Sequence, residues 1–133
     1  MKTHIPITCG TTLLAFALSY FQILVIENAE QFLAVISVMF LDGTLGIIAG
    51  SKIEGFKTHK ALGVLRNTVL WIIILATILI VERGFSVGFL SETFVLPFIV
   101  FQLISALKNA NRAGYIKNEL LTTIMKKVDQ HKL

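Results

Sequence analysis

A chain of 133 residues has room for one domain or one compact bundle, and this one is 55% hydrophobic with only 15% charged residues. A soluble domain needs more polar surface than that, so the composition defines an integral membrane protein. The net charge of +4 does not point to nucleic acid, because the basic residues lie in short loops and a tail beside apolar runs, where membrane topology accounts for them.

Lys2 and His4 precede an apolar run, as in a secretion signal, but no Ala-x-Ala-like site follows Val25-Ile26 and further spans come after. The run is read as a retained first span over about 7–26, with Ser19, Tyr20 and Gln22 as mild polar interruptions. The single Cys9 lies in it, which excludes an intrachain disulfide and a cysteine-based metal site. Glu27, Asn28, Glu30 and Gln31 form an acidic connection short enough to make the next helix an antiparallel neighbour.

The second span, 32–50, holds the stretch around which the chain is organised, Phe40-Leu41-Asp42-Gly43-Thr44-Leu45-Gly46-Ile47-Ile48-Ala49-Gly50. As one helix it is about 28 Å long, close to the ~30 Å hydrocarbon core of a bilayer. Asp42 then lies within the membrane, where an acid usually faces a bundle interior, a water-filled path or a partner group. Gly46 and Gly50 carry the small-xxx-small spacing that lets membrane helices approach closely. Asp42, Gly46 and Gly50 are therefore the candidate packing and assembly residues. The alternative is that Asp42 ends a shorter helix, with Gly43 and Gly46 in a headgroup-level turn.

A basic loop follows, with Lys52, Lys57, His59 and Lys60 around Gly55, and then the most apolar span, 62–81, with Arg66 in its first turns. Lys60 and Arg66 are candidate charge partners for Asp42, within one subunit or between two. Glu82-Arg83-Gly84 ends this span. The fourth, 87–107, contains Glu92, Pro97 and Gln102, and reads either as one kinked span or as an interfacial piece plus a short helix.

Basic and acidic connections alternate along the chain. With four spans, the positive-inside rule places both termini and the middle loop in the cytoplasm. Residues 1–108 thus form a four-span bundle and 109–133 a cytoplasmic tail. In that tail Ile116, Leu120, Leu121, Ile124, Met125 and Val128 recur at helical spacing, with Lys117, Lys126 and Lys127 off the stripe. A basic amphipathic helix of this kind lies on an anionic leaflet or packs against a partner. The fold class is all-α: an integral membrane bundle of four transmembrane helices and a C-terminal basic amphipathic helix.

No Gly-rich phosphate loop, Cys/His cluster or His-Glu-x-x-His arrangement occurs, and His4, His59 and His131 lie far apart in sequence. No catalytic residue, cofactor or metal is expected.

Two stretches carry a resemblance. Phe40-Leu41-Asp42 with Thr44, Gly46 and Ala49, then a basic loop with Gly55, Lys60 and Leu65, resembles the phage holin family of toxin-secretion and phage-lysis type. Phe98 to Asn109, followed by Ala113-Gly114 and Ile116 to Leu121, resembles the same family's aromatic-rich span and the segment after it. Leu45 separates Thr44 from Gly46, and Gln102 and Lys108 stand where that pattern has other residues. The likeness covers about residues 38–125, and the first span goes beyond the family's three-span picture. The resemblance implies a small bacterial inner-membrane protein that forms homo-oligomers and permeabilises the bilayer so that a cell-wall hydrolase or toxin can leave. A different class of function uses the same fold: a non-lytic anchor or scaffold subunit of a secretion or injection assembly. A third is a small oligomeric channel or transporter that depends on Asp42.

Overall fold

The computed structural model describes residues 5–131, with side chains from Cys9 onward. Lys2, His4 and Lys132 of the expected tails lie outside the described residues. Five helices follow one another: α1 (Ile5–Glu27), α2 (Ala29–Glu54), α3 (Thr58–Phe85), α4 (Leu90–Arg112) and α5 (Asn118–Gln130). The first four are long and apolar enough to cross a membrane, and the described residues contain no strand. The chain is thus the all-helical membrane bundle with an added C-terminal helix that its composition and periodicity define.

The helices outrun the apolar stretches that mark them. α2 has 26 residues and α3 has 28, or about 39 and 42 Å, near the ~40–45 Å of a bilayer with its headgroup layers. α2 runs unbroken through Asp42, Gly43, Gly46 and Gly50, so no turn forms there. α3 continues through Glu82-Arg83-Gly84 to Phe85, and Ser86 closes it in the left-handed conformation. α4 begins at Leu90 and contains Pro97 without interruption. Residues 85–107 are therefore the end of α3, a short turn and α4.

The first connection is shorter than the acidic segment suggests. It is Asn28 alone, whose Nδ2 donates to Leu24 O at 2.9 Å and whose own carbonyl accepts from Gln31 and Phe32. This junction does not lay α1 alongside α2. From Cys9 through Ile23 every residue of α1 is exposed, and the helix is rooted in the bundle through Leu24 and Val25.

α2 and α4 run parallel, with α3 antiparallel to both. At one end Gln31 and Ala34 lie near Ser91 and Val95. At the other, Lys52 Nζ donates to Ala113 O. The core gathers in the first half of this bundle: Phe32, Val35, Val38 and Met39 of α2, Leu75, Ala76 and Leu79 of α3, and Phe98 of α4, with Leu24. Phe98 stacks on Trp71 with ring centroids 3.7 Å apart and an interplanar angle of 28°. The second half of the α2–α4 contact is thinner, and buried Ala49, Ala106, Ala110 and Ala113 let the backbones approach.

The two ends differ in charge. At the first, Arg83 pairs with Glu27, and Glu82 Oε1 accepts from the Ser91 N–H at 3.1 Å. That bond satisfies one of the orphan donors of α4's first turn. At the second, Glu54 pairs with Lys57 (2.9 Å) and Lys60 (3.2 Å).

Candidate functional site

The α2–α4 seam carries four polar side chains, those of Gln31, Asp42, Gln102 and Asn109. Asp42 lies on α2 two turns beyond Val35, on the face that turns to α4. Asn109 lies on α4 beyond Phe98, Gln102 and Ala106, which share one face at spacings of four and three. These two faces meet, and Asn109 Nδ2 donates to Asp42 Oδ1 at 2.9 Å. Gly46, one turn further along α2, makes room for the amide: a Cβ there would lie 3.3 Å from Asn109 Nδ2.

Neither sequence-predicted charge partner reaches Asp42 within the chain. Lys60 is engaged with Glu54, and Arg66 is exposed with no ion pair among the described residues. The reason is register. α3 crosses α2 so that Gly43 packs against the side chain of Val64, which places Arg66 near the level of Asp42 but turned outward. Asn109, from a helix distant in sequence, takes the place expected for a cation. Gly50 faces Lys60, whose Nζ would lie 3.4 Å from a Cβ there. Both glycines of the small-xxx-small pair thus serve contacts inside one chain.

Sequence reasoning missed three participants. Asn109 was visible only as one polar residue beside Lys108, though its place on the Phe98–Gln102–Ala106 face was a usable signal. Gly43 reads as a turn residue, yet it is the closest approach of α2 to α3: a Cβ would overlap the Val64 methyls. Lys52 reads as loop charge, but it caps the C-terminal end of α4 through Ala113 O, with its Nζ 5.7 Å from the Tyr115 ring centroid.

The seam also buries two amide oxygens, Gln31 Oε1 and Gln102 Oε1, without a hydrogen-bond partner among the described residues. Each is costly in a closed bundle. At the basic end Gly114 adopts φ +88° and turns the chain into α5, which among the described residues packs against α4 alone. An open apolar cleft remains between them, bounded by Val100, Ile124 and Val128, with Lys127 and His131 on its rim. Lys117, Lys126 and Lys127 are exposed.

This geometry is that of a small multi-pass helical membrane protein with a polar seam in its bundle, and the four long apolar helices place it in a bilayer. A family model for the bacteriophage holin family matches residues 18–130, more than four-fifths of the chain. The protein belongs to the bacteriophage holin family, a family of membrane permeabilisers involved in phage lysis rather than a family of enzymes. No curated protein and no solved structure matches the chain.

Proposed function

We propose that this protein accumulates in the bacterial inner membrane, self-associates and opens the bilayer, so that a cell-wall hydrolase or toxin leaves the cytoplasm. The observation that carries this reading is the α2–α4 seam. Asp42, Asn109, Gln102 and Gln31 lie along the contact of two parallel membrane helices that otherwise meet through apolar and small side chains. While the seam is closed, the Asn109–Asp42 bond shields two polar groups from hydrocarbon. When the helices part, those groups and the glutamine amides line a surface that holds water, which lipid-facing side chains do not. The protein acts by assembly and wetting and carries out no chemical reaction.

Orientation follows from charge. Lys52, Lys57 and Lys60 share an end with the α4 terminus, Lys108, Arg112 and Lys117, while Glu27, Glu82 and Arg83 mark the other. The basic end faces the cytoplasm, both termini lie there, and Lys117, Lys126 and Lys127 hold α5 at the anionic leaflet.

Co-expression with a cell-wall hydrolase that lacks an export signal tests the reading. Lysis is expected only when both proteins are made, with cytoplasmic enzymes released at the same moment. Stable accumulation of both without lysis contradicts it and favours a structural anchor.

A further inference from the structure

α5 lies alongside α4 and not across the end of the bundle. Val100 of α4 borders the same cleft as Ile124, Lys127, Val128 and His131 of α5. Val100 stands twelve residues before the end of α4, and Val128 ten after the start of α5. With the two helices at right angles, those lengths of about 18 Å and 15 Å would hold Val100 and Val128 more than ~20 Å apart. A shared cleft excludes that. α5 therefore folds back antiparallel along α4, with Gly114 at the corner of a helical hairpin.

The far end of α5 is thus level with the middle of a membrane span. Val100 lies ten residues, about 15 Å, inside the start of α4 at Leu90. Lys126 and Asp129 project from the side of α5 opposite Ile124, away from α4, at a depth where lipid tails tolerate charge poorly. The contact is also loose. No residue of α5 is buried, and the cleft holds about 530 Å³ of open space. Ile124 and Val128, which turn to α4, are also the side chains that a basic amphipathic helix sinks into an anionic leaflet, with Lys126 and Lys127 then beside headgroup phosphates. One stripe cannot cover both.

We infer that α5 is a strap with two exclusive seats, the outer face of α4 and the anionic leaflet, and that anionic headgroups draw it from the first to the second. The seat on α4 is compatible with a closed seam, because Val100 and Asn109 lie on opposite sides of α4, nine residues apart at 100° each. The corner links the two. Lys52 of α2 donates to Ala113 O, and the Ala113 N–H donates to Asn109 O at 2.8 Å. Transfer of α5 to the leaflet swings this corner and pulls on the end of the α2–α4 seam. The inference rests on the cytoplasmic placement of the basic end proposed above and names what moves there.

Spin labels on Val100→Cys and Val128→Cys in a full-length Cys9→Ser chain, with distances read by electron paramagnetic resonance in vesicles, test this. In phosphatidylcholine alone the short distance of packed helices, about 10 Å between axes, is expected to dominate. In vesicles made half of phosphatidylglycerol, a clearly longer distance is expected to rise at least threefold in population. Lys126→Gln/Lys127→Gln should reverse most of that rise, and the label pair Val100→Cys/Ile124→Cys should report the same change. One distance in both lipids, no short distance, or a shift that survives the lysine substitutions would each overturn the inference. Dye release from the same vesicles separates the two claims. Release without a lipid-dependent distance overturns the strap alone, whereas the distance change without release supports the strap and removes the permeabiliser reading.

Discussion

Asn109 on α4 donates to Asp42 on α2 across 2.9 Å, and Gly46 is the residue that makes space for it. The pair joins helices separated by more than sixty residues of sequence, at a level where the bundle has few large side chains to hold it. Its value lies less in the bond formed than in the cost of leaving either partner alone in an apolar surrounding.

Asn109→Leu strands Asp42 and is expected to lower the stability of the closed bundle by about 1–3 kcal/mol. Asp42→Asn keeps an acceptor for Asn109 and costs less. The double variant Asp42→Leu/Asn109→Leu removes both polar groups and recovers part of the loss. Thermal unfolding of these proteins and of Asp42→Leu in a mild detergent closes the double-mutant cycle and gives the coupling.

Gly43 and Gly46 fail differently. At Gly43 even a methyl meets Val64, so Gly43→Ala is expected to cost about 1–3 kcal/mol, in the range of overpacked cores, and Val64→Ala in the same chain should restore most of it. At Gly46 a methyl displaces only the flexible Asn109 amide, and Gly46→Ala is the milder change. Gly46→Leu forces the helices apart and should abolish the folded transition. The same unfolding assay ranks all four.

Much of this was legible in the chain. Uninterrupted apolar runs and segregated charges are local signals, and they are enough for four membrane helices and a basic amphipathic fifth. Asp42 and Gly46 stand out because polar and small residues are rare in such runs. What lay beyond the sequence depends on how helices face one another. Within the chain Asp42 meets Asn109 rather than Lys60 or Arg66 because α4 runs parallel to α2, and no local pattern encodes that pairing. The α1–α2 junction escaped for a related reason: an acidic five-residue segment looks like a loop, yet Asn28 alone bonds both helix ends and lets α1 leave the bundle.

Gln102→Leu replaces a buried amide whose oxygen has no partner with an apolar side chain of similar size. It is expected to stabilise the closed bundle by about 1 kcal/mol and to delay permeabilisation after induction. Time courses of dye entry at matched protein levels check both the sign and the link between bundle stability and onset.

The α4–α5 corner depends on Gly114, whose φ of +88° costs an L side chain about 1–2 kcal/mol. Gly114→Ala is expected to loosen α5, as is Lys52→Met, which removes the donor to Ala113 O. Limited trypsin digestion of inside-out vesicles should cut faster at Lys117 in both variants. Unchanged cutting would mean that α5 is held by something other than this corner.

The most direct test of the central claim is membrane potential in growing bacteria after induction, wild type beside Asn109→Leu. The account predicts a quiet delay and then abrupt depolarisation, arriving earlier in Asn109→Leu because its seam opens more easily. High accumulation of both proteins with the potential intact would contradict it.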